Sequence, residues 1–198
     1  MCLKKIFEIS IIKLLIIFLL LTLPIKGSEK NDLKTVLQYF NNHKEFSSSF
    51  LQIHNNEISE GFIFFKENRI RIEYISPSNL IFVLKKNKAM YFNKDLKEVE
   101  YFNPKDTMGK FLIDLFNDKS FLLDSKINKG EAYLYIQKKI QLLDIEYEVK
   151  IYFEEKPFQL KKIEIHNDLE KISFTVLNLN YNPDLKDKIF SMANPLLS

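Results

Sequence analysis

The chain has 198 residues, of which 46% are hydrophobic and 28% charged, a composition typical of one globular domain with a short added segment. Its formal charge of +3 arises at the N-terminus. Taking the four lysines and one glutamate of residues 1–27 from the totals of 29 basic and 26 acidic residues leaves 25 of each. A neutral remainder lacks the basic surface that nucleic-acid binding requires. Because Cys2 is the only cysteine, disulfides and cysteine-based sites are excluded from that remainder.

Residues 1–27 have the pattern of a secretory signal peptide: two early lysines, an apolar run over residues 14–23 and a small residue before the expected cut. The alternative is a retained membrane anchor, but the run is shorter than the ~20 residues of a spanning helix. No cysteine follows the run, so a lipid anchor is not expected. We therefore expect cleavage near Gly27-Ser28, export of the mature chain and a single domain over residues 28–198.

An amphipathic helix is predicted over residues 32–44, because apolar side chains recur there at helical spacing. The period then changes to two, which predicts strands. Their ranges are 46–53, 58–66, 69–75, 80–84, 89–92, 99–102, 132–138, 145–153, 160–166 and 171–181, with a short segment 189–191 ending the sheet. A second helix is predicted over 107–116, with Thr107 as its N-cap.

This pattern predicts a mainly antiparallel β fold with a few helices. Segments 62–65 and 80–84 are apolar on both faces, which indicates that both faces of the sheet are partly covered. Two helices cannot cover a wide sheet unless it curls around them. The interior of such a sheet is either packed core or a ligand cavity, and periodicity leaves both open.

No catalytic, metal or cofactor site is predicted. The sequence contains no HExxH, GxSxG, GxGxxG or P-loop motif, and its histidines, His43, His54 and His166, lack metal-ligand spacing. The carboxylates lie on the polar faces of strands or in turns. A secreted enzyme is therefore the least supported class. The 18 phenylalanines and nine tyrosines suit either core filling or an apolar binding surface.

Several segments together resemble one family. They are FSSSFLQ at 46–52, GFIFFK at 61–66, RIRIEY at 69–74, the hairpin 87–99, and the closing strand with IFS at 174–191. In order and spacing they resemble the periplasmic outer-membrane lipoprotein carrier proteins, the LolA family. The chain departs from the family at Glu67-Asn68, where the family has Arg-Pro. That family arginine is implicated in holding a helical lid closed, so the lid latch cannot be assigned here.

The resemblance implies an incomplete (unclosed) curved β-barrel of about 10–11 strands with a helical lid on its concave side. Its cavity would bind lipoprotein acyl chains without a cofactor. The implied partners are acylated lipoproteins, an inner-membrane lipoprotein-releasing ABC transporter and an outer-membrane acceptor, and the chain would act as a monomer. An envelope-sensing or regulatory module on the same scaffold is the alternative, because a fold alone does not fix function.

Within this frame, the expected cavity wall includes Ile70, Ile72 and Tyr74, because the alternate residues Arg69, Arg71 and Glu73 are charged. Ordinary core packing is the alternative for every residue of the site, and a solvated face is the simplest interpretation of the arginines. The full expected wall is Phe50, Ile63, Phe65, Ile70, Ile72 and Tyr74. The expected lid residues are Leu33, Val36, Leu37, Phe40, Met108, Phe111, Leu112 and Leu115.

Overall fold

The computed structural model describes residues 27–197, so the predicted signal peptide lies outside the described residues except for Gly27. The first of the two α-helices in this described part of the chain, α1, spans Gly27–Asn42. The helix begins before the predicted start. Residues 28–31 were not predicted as helix because they are polar and show no apolar period. They contain no proline or glycine, so nothing in them interrupts the helix. Residues 27–32 are the opening turns of α1, and the chain from Leu33 onward forms one compact unit.

Within residues 27–197, eleven antiparallel strands form a single sheet. They are β1 (Glu45–His54), β2 (Glu57–Lys66), β3 (Arg69–Ser76), β4 (Leu80–Lys85), β5 (Lys88–Asn93), β6 (Glu98–Phe102), β7 (Lys126–Lys129), β8 (Tyr133–Leu142), β9 (Ile145–Glu155), β10 (Phe158–His166) and β11 (Lys171–Asn180). Two meanders, β1–β6 and β7–β11, are joined by pairing of β1 with β11. The edge strands β6 and β7 do not pair with each other, so the sheet stays open and the predicted fold class is confirmed.

The structure departs from the predicted strands at two places. Strand β7 was not predicted, because its four residues alternate too briefly to give a pattern. The predicted strand 189–191 lies instead largely in a 3₁₀ helix, Asp187–Phe190. This segment buries Phe190 against the sheet rather than pairing with a strand edge.

Helix α2, Met108–Asn117, lies in the connection between the two edge strands. Thr107 is its N-cap, as predicted, and its hydroxyl accepts a hydrogen bond from the Gly109 amide at 3.1 Å. The buried side chains of α2 share one core with the inward residues of both meanders. The helix therefore covers the concave face of the sheet. These buried side chains are Phe111, Ile113, Leu115 and Phe116.

A C-terminal strap, residues 183–192, covers part of the opposite, convex face. Leu185 and Phe190 are buried there in a second apolar cluster with β4 and β5 residues, which explains why 80–84 is apolar on both faces. The β4 and β5 members of that cluster are Ile81, Val83 and Met90.

The two arginines of β3 hold this strap, which corrects the expectation that they are simply solvated. Arg69 Nη2 lies 3.1 Å from Asp187 Oδ1, and the guanidinium stacks over the ring of Phe190. Arg71 Nη1 donates a hydrogen bond to the Ile189 carbonyl at 2.8 Å. Both arginines therefore link the outer face of the sheet to the C-terminal strap.

Gly61 is required where β2 passes Phe50. A Cβ at this position would lie 2.0 Å from the Glu73 carbonyl oxygen and 2.8 Å from Phe50 Cζ. We expect Gly61→Ala to lower the free energy of unfolding by about 3 kcal/mol, because backbone must shift to relieve the overlap. Urea denaturation measures the change.

Gly130→Ala is the matched control. The three atoms nearest to its Cβ would all belong to the ring of Tyr133, the closest at 2.9 Å, and this side chain is exposed and has room to move. We expect a change below about 1 kcal/mol. Equal effects of the two substitutions would contradict the tight packing described at Gly61.

Candidate functional site: an apolar cavity under helix α2

A cavity of about 350 Å³ lies between the first turns of α2 and the concave face of the sheet. Strands β1, β3, β4 and β6 contribute to one side, and β10 and β11 to the other. Alternation of the strands places these side chains on the inner face. The lining residues are Gln52, Ile72, Tyr74, Phe82, Leu84, Phe102, Thr107, Met108, Gly109, Phe111, Leu112, Ile163, Ile165, Ile172 and Phe174.

The hydroxyl groups of the lining are hydrogen-bonded within the protein. The Tyr74 hydroxyl donates to Gln52 Oε1 at 2.7 Å, and burial raises the pKa of Tyr74 to about 12. The Thr107 hydroxyl donates to the Pro104 carbonyl at 2.9 Å. A cavity whose hydroxyl groups are already paired favours an apolar ligand over a polar one.

The structure divides the six expected wall residues into two groups. Ile72 and Tyr74 line the cavity. The other four lie on the same concave face, packed in the core, and do not border the cavity: Phe50, Ile63, Phe65 and Ile70. Phe50 still supports the wall, because its ring stacks on Phe174 with centroids 4.2 Å apart and meets Tyr74 edge-on at 5.2 Å.

The expected lid residues divide in the same way. Met108, Phe111 and Leu112 of α2 line the cavity, whereas Leu115 is buried core. The four expected residues of α1 border no part of this cavity: Leu33, Val36, Leu37 and Phe40. Val36 and Phe40 are buried, while Leu33 and Leu37 are half-buried.

Helix α1 is fixed to the sheet by Tyr39. Its hydroxyl lies 2.9 Å from the Tyr181 hydroxyl and accepts a hydrogen bond from the Leu160 amide at 3.2 Å. Its ring packs edge-on against Phe153. The two helices therefore differ: α1 is anchored in packed core, and the first half of α2 roofs the cavity.

Much of the lining could not be assigned from the sequence. Phe82 and Leu84 face inward because Ile72 pairs with Phe82 and Ile70 with Leu84. Their segment is apolar on both faces, so alternation does not indicate which of its side chains face the concave side of the sheet. The β10 and β11 residues alternate as visibly as those of β3, but only the β1–β11 pairing brings them opposite Ile72. The remaining unassigned lining residues are Gln52, Phe102, Thr107, Gly109, Ile163, Ile165, Ile172 and Phe174.

Within residues 27–197, no group of three or more histidine, aspartate or glutamate side chains is arranged to bind a metal ion. Over the same residues, neither helix is long and apolar enough to cross a membrane.

The sequence profile of a family described as "Outer membrane lipoprotein carrier protein LolA" matches residues 41–193. The chain belongs to the LolA family. All strands from β1 to β11 and helix α2, and thus the whole cavity lining, lie within the matched residues. A LolA-family fold that encloses an apolar cavity is a module for binding lipid or protein.

The chain is similar to solved structures at low sequence identity, and no curated protein matches it significantly. An uncharacterized conserved protein from Thermus thermophilus is 6% identical with a TM-score of 0.53, over 81% of this chain and 91% of that one. A putative outer membrane lipoprotein-sorting protein domain from Vibrio parahaemolyticus is 9% identical (TM-score 0.47; 80% and 95%). The MucA/MucB complex of Pseudomonas aeruginosa matches at 12% identity (TM-score 0.45; 82% and 60%). At 6% identity, the likeness to the Thermus thermophilus structure concerns the fold alone.

The raised pKa of Tyr74 makes stability depend on alkaline pH. A tyrosine in the unfolded chain titrates near pH 10, and Tyr74 in the folded chain near 12. Its contribution is complete below about pH 10 and is lost as the pH rises toward about 12, because the unfolded chain loses its proton first.

The unfolding free energy of both proteins should fall between about pH 8 and about pH 11. We expect this decrease to be about 1 kcal/mol smaller in Tyr74→Phe than in the parent chain. Urea denaturation at both pH values gives the comparison. Other buried tyrosines titrate in both proteins, so the difference isolates Tyr74. An identical decrease in parent and variant would contradict the burial of this hydroxyl.

Proposed function

We propose that this chain is a periplasmic carrier that binds the acyl chains of lipoproteins in the cavity under α2 and takes them from the inner to the outer membrane. The observation that carries the proposal is an apolar cavity of about 350 Å³ within a LolA-family sheet. Each methylene group removed from water contributes about 0.8 kcal/mol. A lipoprotein therefore needs a carrier that covers its acyl chains between membranes.

The size of the cavity suggests how it is loaded. A volume of about 350 Å³ lies near the lower end of the ~300–1,000 Å³ of small-ligand sites. We expect one acyl chain to occupy it in this form, and further chains to require movement of α2. Helix α2 is the proposed lid, with Met108, Phe111 and Leu112 against the ligand, whereas α1 is the fixed support.

The remaining steps follow from the same role. We propose that residues 1–27 direct export and are removed near Gly27-Ser28, leaving one carrier domain over 28–198 that acts as a monomer without catalysis. Lipoproteins would be received from the inner-membrane releasing ABC transporter and delivered to an outer-membrane acceptor. An envelope-sensing module remains the second candidate, and it would bind a protein partner instead of acyl chains.

A single tryptophan would report on the cavity, because the chain contains none. Phe102→Trp places an indole in the lining, and the neighbouring Tyr101→Trp places one on the exposed face of β6. We expect a synthetic triacylated lipopeptide to shift the emission of Phe102→Trp to the blue and saturably, since the acyl chain displaces water. Tyr101→Trp should not respond.

A charged side chain on the part of α2 that lines the cavity tests where the lipopeptide binds. In the Phe102→Trp background, Leu112→Glu should weaken lipopeptide binding at least about tenfold, because an acyl chain cannot compensate a desolvated carboxylate. Leu123→Glu is the control, since Leu123 is exposed and does not line the cavity. A folded Phe102→Trp protein that never responds to lipopeptide would contradict the carrier and favour the sensing module.

A further inference from the structure

One end of the sheet carries exposed apolar side chains at every turn. The turns that follow β1, β3, β5, β8 and β10 lie at this end, because the strands are antiparallel. Each has an exposed isoleucine or leucine in it or beside it, between 49% and 87% accessible. We call these the rim residues: Ile58, Ile75, Leu96, Leu143 and Leu169. Beside the strand ends of the opposite side, the exposed large apolar residues among those described are two tyrosines, Tyr101 and Tyr133.

Leu143 departs from the usual environment of a leucine in both its exposure and its backbone conformation. It is 69% exposed, and its φ of 47° lies in the left-handed region, followed by Asp144 at 65°. Asparagine or glycine is preferred at such hairpin positions, and leucine is strained there. An equivalent turn between β1 and β2 uses Asn55-Asn56. A leucine at this position costs stability, which indicates a function for its side chain.

The spacing of the rim fits a flat surface. Successive rim turns are two strands apart, about 10 Å at the usual strand separation. The side chains thus form a row of separate tips at the end of a curved sheet, rather than one groove. A protein partner would need a separate pocket for each tip, whereas the interface of a fluid bilayer accepts them all.

Charges at the rim are of both signs. Lys94, Asp95 and Lys97 surround Leu96, and Leu169 lies between Asp168 and Glu170, with Lys171 next along the chain. Phosphatidylethanolamine and phosphatidylcholine headgroups likewise carry one cationic and one anionic group. Such a rim is complementary to zwitterionic headgroups and gains little from an anionic surface.

The cavity wall extends to this end. Gln52 and Tyr74 lie two residues before the last residues of β1 and β3, and the Ile165–Ile172 pair is one step from the end of the β10–β11 ladder. The inner wall is therefore within about 7–10 Å of the tips. A surface that touched the rim would lie next to the cavity.

We propose that the rim residues form a membrane-docking surface that enters the interfacial layer of a zwitterionic bilayer. This inference deepens the proposed carrier function, on which its biological purpose rests, by stating how the cavity reaches a membrane. Docking itself needs only the rim. It is therefore measurable with vesicles that contain no lipoprotein.

The test uses the chain purified from the periplasm of cells that express it and vesicles of phosphatidylethanolamine and phosphatidylcholine. Flotation should show binding of the parent protein. Leu143→Asn combined with Leu169→Asn should weaken binding about tenfold, because two apolar tips are lost. The matched control combines Leu177→Asn, on the face of β11, with Leu197→Asn near the C-terminus. Both control leucines are exposed and belong to none of the rim turns, and the control should bind like the parent.

The stability of the Leu143→Asn variant distinguishes a loss of docking from a loss of folding. Leu143→Asn alone should unfold at an equal or higher urea concentration than the parent, because asparagine suits its φ, while binding vesicles less tightly. Absence of parent binding, equal binding by the rim and control variants, or binding only to anionic vesicles would overturn the proposal. The lipopeptide response of Phe102→Trp in solution is scored separately. Vesicle binding without that response would remove the carrier and leave the docking surface, and the reverse result would remove only the docking surface.

Discussion

The antiparallel ladder between β1 and β11 joins residues more than a hundred positions apart and unites two meanders that otherwise share no strand pairing. The buried Ser48 hydroxyl donates to the Leu177 carbonyl at 2.5 Å, where the register shifts and Asn178 adopts a φ of 51°. Phe50 stacks on Phe174 across the same ladder. Because Phe174 lines the cavity, this ladder sets the separation of the two walls that α2 spans.

The two faces of the sheet are covered by different means. On the convex side, the C-terminal strap is held by Arg69, Arg71 and Lys66, whose Nζ donates to the Leu185 carbonyl at 2.7 Å. This strap braces the strands whose inner residues form one cavity wall. On the concave side, the first half of α2 lines the cavity opposite the sheet. We therefore expect widening of the cavity to involve α2 rather than the braced wall.

Local patterns predicted most of the fold. Strand β9 is clear from the alternation of Tyr147, Val149 and Ile151, and Thr107 marks the start of α2 because a side-chain oxygen can cap the first turn. The order of several weak motifs identified the family. The predictions that were wrong concern features that tertiary contacts determine. Segment 189–191 was predicted as a strand, although its apolar residues pack on the convex face of the sheet. The two arginines of β3 were predicted to be solvated, because their partners lie about 118 residues away in the sequence.

The cavity itself marks the limit of inference from the sequence. Alternation identifies inward residues, but packed core and cavity lining share that pattern. Phe50 and Tyr74 are both inward, yet one is fully packed and the other faces the cavity. The difference arises where α2 crosses the sheet, which the sequence does not specify.

Native mass spectrometry of the chain with a triacylated lipopeptide, after removal of detergent, tests the central claim most directly. Uptake of acyl chains by the cavity predicts a soluble one-to-one complex that is lost in Leu112→Glu and kept in Leu123→Glu. A folded protein that stays free of lipopeptide under these conditions, or a complex that Leu112→Glu leaves intact, would contradict the account.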